Sequence, residues 1–112
     1  MAEEMGLRLP AGVVVREVGP RDGLQSLKTW VPTEDKSSRI NGLARSGLRR
    51  IEATSFVHPK AIPQLRDAAE VMAGIDRVAG VRYEALVPNV KGVERALESR
   101  VDQFGVFISA TE

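Results

Sequence analysis

Three charged residues in the first half of the chain could act on one substrate. Arg21 and Asp22 are adjacent in the run Glu17-Val18-Gly19-Pro20-Arg21-Asp22-Gly23-Leu24-Gln25, and Glu52 lies in Ile51-Glu52-Ala53-Thr54-Ser55-Phe56-Val57-His58-Pro59-Lys60. A carboxylate is a hard oxygen donor for a divalent cation. A guanidinium beside it can hold charge that develops on a substrate oxygen. Gly19 and Gly23 flank the Arg-Asp pair and let the backbone turn sharply on both sides. The plainer reading is a loop in which Arg21 and Asp22 cap backbone groups, with a rim glutamate at 52 held in an ion pair. Residue types and spacing leave both readings open.

The remaining candidates carry less. His58 is the only histidine. One imidazole does not make a metal site, and a loop histidine before proline reads as solvated. Lys60 would meet an anionic substrate group or simply point into water. In Val87-Pro88-Asn89, Asn89 reads first as a helix cap and second as a substrate contact. There is no cysteine, which excludes disulfides, thiolate metal ligands and a thiol nucleophile within the chain. The formal net charge of +1 gives no pull toward nucleic acid or an anionic membrane. Arg45, Arg49 and Arg50 read as a solvated face. The aromatic residues Trp30, Phe56, Tyr83, Phe104 and Phe107 are too scattered for base stacking. No phosphate-binding glycine loop, Ser/His/Asp arrangement or zinc signature is present. No nucleic-acid or membrane partner is therefore expected. Glu3 and Glu4 speak against a secretory or mitochondrial leader. No stretch approaches the ~20 apolar residues of a membrane span. A cytoplasmic location is expected.

The elements that must position these residues follow from the apolar pattern. Apolar residues make up 43% of the 112-residue chain and charged residues 28%, a globular balance. Four apolar runs, Val13–Val18, Leu48–Ala53, Val81–Val87 and Asp102–Ser109, read as strands buried on both faces, as in a parallel sheet. Helical patterns lie between them. The first has Thr33 as its N-cap, Glu34 and Asp35 in its first turn, Ile40, Leu43 and Ala44 inward, and Gly47 as its stop. The second starts near Pro63, turns Leu65, Ala68, Ala69 and Met72 inward and stops near Gly74. The third is capped by Asn89 and carries Val93, Ala96 and Leu97 as its apolar stripe. Alternating strand and helix predicts an α/β fold with parallel strands, either a doubly wound sheet or a (β/α)₈ barrel. In both, the carboxyl ends of the strands form the active face, and the Arg21 run directly follows the first strand.

At these residues the chain resembles the hydroxymethylglutaryl-CoA lyase family. The resemblance rests on Val18-Gly19-Pro20-Arg21-Asp22-Gly23-Leu24-Gln25, then Ile51-Glu52, Ser55-Phe56-Val57, Pro59-Lys60 and Pro63-Gln64. Further on it rests on Pro88-Asn89, Lys91-Gly92 and the closing Ser109-Ala110-Thr111-Glu112. Related Claisen-type acyl-CoA synthases share the Arg-Asp-Gly core, whereas Pro20 and Leu24 look like the lyase version. The resemblance implies about four βα units from the N-terminal part of a (β/α)₈ TIM barrel that binds Mg²⁺ or Mn²⁺. It implies residues 1–12 as a tail and 13–112 as a partial barrel ending after its fourth strand. The implied reaction is retro-Claisen cleavage of 3-hydroxy-3-methylglutaryl-CoA to acetyl-CoA and acetoacetate, a step of leucine degradation and ketone-body formation. By the match, Asp22 is a metal ligand, Arg21 stabilises enolate charge and Glu52 supports the charge network. Gln25 lies beside the acyl-CoA substrate.

Departures from the family accompany the match. Ser26-Leu27 stands where the family often has Asn-Glu, His58 where serine is common and Ala61 where tryptophan is common. The family's two metal-ligand histidines, its metal-ligand asparagine and its glycine-loop cysteine have no counterpart in positions 1–112. The expectation is a part of the lyase that is inactive alone and either self-associates through open sheet edges or is only marginally folded. Other readings are a synthase relative and a non-enzymatic half-barrel that binds a partner chain.

Overall fold

The computed structural model describes residues 6–110. Residues 1–5 of the expected tail, and Thr111 and Glu112 of the closing run, lie outside the described residues. Four parallel strands make one sheet in chain order: β1 (Arg16–Glu17), β2 (Arg50–Ser55), β3 (Arg82–Leu86) and β4 (Gln103–Gly105). Three helices connect them, α1 (Thr33–Arg45), α2 (Ala68–Gly74) and α3 (Val90–Glu98). This is the α/β order expected from the alternation of apolar runs.

The pleat sends alternate residues to opposite faces. Ile51, Ala53, Tyr83 and Ala85 face the helices and pack with Ile40, Ala44, Val71, Met72 and Ala96. Tyr83 is fully buried yet keeps its hydroxyl satisfied, donating to the Asp76 carbonyl at 3.2 Å and accepting from the Val78 amide at 3.0 Å. The register Glu52↔Glu84 then steps to Thr54↔Ala85, so β2 carries one extra residue. Such a bulge re-aims the side chains on its C-terminal side. Ser55 is thereby set opposite Leu86, on the face that also carries Glu52 and Glu84.

Several sequence expectations need correction. The first strand is only Arg16–Glu17, and Val13, Val14 and Val15 are exposed. Arg16 already pairs with Arg50, the first residue of β2, so no β2 strand backbone lies opposite the three valines. The second strand runs two residues further along than the apolar run. The fourth ends at Gly105, leaving Val106, Phe107 and Ile108 exposed. Its partner β3 ends at Leu86, just before the chain turns into α3.

Helix starts and stripes also shift. Pro32, not Thr33, occupies the cap position of α1, and the Thr33 hydroxyl instead donates to Asp67 at 2.6 Å. A 3₁₀ turn at Pro63–Leu65 precedes α2 and resets the helical phase. Ala68, Val71 and Met72 therefore face inward, while Ala69 is exposed. In α3 the inward stripe is Gly92, Val93 and Ala96, and Leu97 is exposed. Two expectations hold: Asn89 caps α3 by accepting from the Gly92 amide at 2.9 Å, and Gly47 follows α1 with φ +98°.

Candidate active site

The chain leaves β1 through a π-helical turn, Gly19–Gly23, in which the Arg21 and Asp22 amides both donate to the Val18 carbonyl, at 3.1 and 2.8 Å. The Glu17 carboxylate accepts from the Gly19 amide at 2.8 Å. A Cβ at position 19 would stand 2.7 Å from that carboxylate oxygen, so a larger residue there would displace the Glu17 side chain from the Gly19 amide. Pro20 is buried and anchors the turn, which leaves Arg21 leaning over β2.

There Arg21 Nε donates to Glu52 Oε1 at 2.5 Å. Its Nη1 lies 3.3 Å from Gln25 Oε1 and 3.4 Å from Asp22 Oδ1. The Arg21 and Glu52 side chains are only 12% and 10% exposed, whereas Asp22 is 68% exposed. A charge-assisted bond between two nearly buried groups fixes the guanidinium plane. Asp22 is held weakly and faces solvent. The four sequence-derived residues are thus gathered around one guanidinium. Glu52 is not at a strand end: it is the third of six residues in β2, a layer beneath the turn that carries Arg21.

A cleft of about 290 Å³ opens beside this group, lined by Arg21, Gln25, Ser55, Ile62, Leu86 and Phe107 among others. A larger cleft of about 530 Å³ lies on the other side of the turn, against α1, and is lined by neither Arg21 nor Gln25, while Asp22 and Glu52 line neither cleft. The smaller one is the candidate site, because the clamped Arg21 lines it. Ser55 was not singled out from sequence as a site residue. Its signal was present in the Ser55-Phe56-Val57 run, but its direction depends on the bulge in β2. The structure brings no other candidate to the site through its own bonds. His58 is exposed and accepts from the Lys60 amide at 3.1 Å, Lys60 is exposed, and Asn89 serves as a cap.

Among the described residues no group of three or more His, Cys, Asp or Glu could hold a metal ion. Asp22 fits a divalent cation as one exposed carboxylate ligand and no more. No helix among the described residues is long and apolar enough to cross a membrane.

Four parallel strands with intervening helices make the N-terminal part of an α/β barrel, with Arg21, Asp22 and Gln25 on the turn after β1 and Glu52 within β2 as its candidate site. Within that class the chain matches hydroxymethylglutaryl-CoA lyases. It is 58% identical over 103 residues to the hydroxymethylglutaryl-CoA lyase of Bacillus subtilis, a match covering 92% of this chain and 34% of the relative. A crystal structure of a B. subtilis HMG-CoA lyase superposes with a TM-score of 0.89 over 92% of this chain and 35% of that one, at 58% identity. An HMG-CoA lyase from Acinetobacter baumannii, in complex with coenzyme A and 3-methylmalate, superposes with a TM-score of 0.86 over 88% of this chain and 32% of that one, at 52% identity. The chain spans about a third of the length of the curated relatives it matches. No family model matches it.

Proposed function

We propose that the chain supplies the Arg21 side of an active site that cleaves a 3-hydroxy-3-methylglutaryl-CoA-like thioester into acetyl-CoA and acetoacetate. The observation that carries this reading is the Arg21 guanidinium, clamped by Glu52 and opening onto the cleft with Gln25 and Ser55. Its similarity to lyases, one of them a structure with coenzyme A, supports the substrate class. In such a cleavage a base removes the proton of the tertiary hydroxyl. The carbon–carbon bond breaks, and its electron pair passes to the thioester as an enolate, which is then protonated. The reading of Arg21 as the holder of the developing negative charge is supported by its Nη1, which makes long contacts at 3.3 and 3.4 Å among the described residues while Nε is tied to Glu52. Glu52 fixes the orientation of the guanidinium. Gln25 orients the acyl group. Mg²⁺ or Mn²⁺, held in part by Asp22, would polarise substrate oxygens. The proposal includes a cytoplasmic setting.

One carboxylate does not fix a cation that takes about six ligands. The 112-residue chain alone is therefore expected to show no acetoacetate formation with Mg²⁺ or Mn²⁺. Grafting it in place of the matching third of the B. subtilis lyase should restore turnover. A graft that folds, binds acyl-CoA and stays inactive would sink the proposal. Self-association belongs to the same reading: β1 and β4 are open edges flanked by exposed Val13–Val15 and Val106–Ile108. A sedimentation experiment giving only monomer at all concentrations would count against it.

A further inference from the structure

Lys36 is buried, its side chain only 4% exposed, at the start of α1. Its Nζ donates to the Gln64 carbonyl at 2.6 Å and to Asp67 Oδ1 at 2.7 Å, and lies 3.8 Å from the centre of the Trp30 ring. The Arg66 guanidinium stands 3.9 Å from the same ring. The second oxygen of Asp67 accepts from Thr33, and Gln64 Nε2 donates to the Leu27 carbonyl at 2.6 Å. Trp30, Thr33 and Lys36 belong to the segment that follows β1. Gln64, Arg66 and Asp67 belong to the segment that follows β2. The ammonium thus ties the two rim segments together, with a carbonyl, a carboxylate and a ring face around it.

A buried ion pair contributes little net stability, because desolvation offsets its attraction; its best-attested use is to fix register. The register at stake here is that of the Arg21 turn over β2. Leu27, only six positions after Arg21, is the point at which Gln64 holds the outgoing chain. We propose that Lys36, through Asp67 and Gln64, is a positioning residue that sets the Arg21 turn over Glu52. This rests on the reading of Arg21 as the working group, but its test uses no substrate.

The test is hydrogen–deuterium exchange followed by mass spectrometry on the full chain. Gln64→Ala removes the tether to Leu27 and touches no buried charge, so it keeps the fold. Losing that one bond should speed exchange in residues 18–27 by about three- to tenfold, with β2 unchanged. Replacing the pair as Lys36→Met with Asp67→Leu should speed the same segment at least as much. Unchanged exchange in 18–27 for Gln64→Ala overturns the proposal. So does equal loss of protection across Arg50–Ser55, because the cluster would then hold the whole fold and not the rim. Failure of the lyase graft would leave these exchange results standing, so the two readings fail separately.

Discussion

On the helix-covered face of the sheet, Ile51, Ala53, Tyr83 and Ala85 meet apolar side chains of α1, α2 and α3. On the opposite face, Arg16 reaches across β2 to Glu84 at 2.7 Å, and Glu52 holds Arg21. Glu84 Oε2 is buried there with no hydrogen-bond partner among the described residues. The covered face is completed by the chain's own helices, and its stability comes from apolar area removed from water. The other face is held by charge pairs that join residues 31 and 68 positions apart. A buried carboxylate oxygen without a donor is costly. The difference separates two tasks: one face makes the unit fold, and the other fixes where charges stand.

Three variants test this contrast. In the grafted lyase, Arg21→Met should lower kcat by about 10²- to 10³-fold, the usual loss when one donor to a developing oxyanion is removed. The measurement is acetoacetate formation at saturating substrate, with thermal unfolding as a control for folding. A variant with unchanged kcat would take Arg21 out of the chemistry.

Ile51→Ala strikes the covered face. Ile51 is fully buried beneath the helices, so the cavity should cost about 2–5 kcal/mol. Urea unfolding would read this loss. A cost well under 1 kcal/mol would mean that the core closes over the gap and is looser than its packing implies.

The smallest effect is expected on the charged face. Replacing Arg16 and Glu84 together by methionine removes a pair that is half-exposed at one end and has an unpartnered oxygen at the other. Stability should stay unchanged or rise, by at most about 1–4 kcal/mol, as for other buried pairs replaced by apolar groups. A clear loss would show that the Arg16–Glu84 pair holds the sheet together and would erase the contrast between the faces.

Much of this architecture is written in the sequence. The alternation of apolar runs with helical spacing determined a parallel α/β unit, because burial on both faces and the 3.6-residue repeat leave local traces. The Gly19-Pro20-Arg21-Asp22-Gly23 run and Glu52 marked a candidate site by residue type, and Asn89 marked a helix start by its side-chain chemistry. Tertiary structure decided the rest. Valines 13–15 and residues 106–108 have strand-forming side chains, yet a strand needs a partner backbone, and β2 and β3 offer none at those positions. Thr33 has the chemistry of a cap, but Asp67, 34 positions away, claims its hydroxyl. Ser55 faces the cleft only because β2 carries one extra residue before it, and a bulge has no local signature in a run such as Glu52-Ala53-Thr54-Ser55. The sequence grouped Arg21 with Glu52, but their bond itself was beyond local reading, since a hydrogen bond across 31 positions depends on where parallel packing sets one strand against the next.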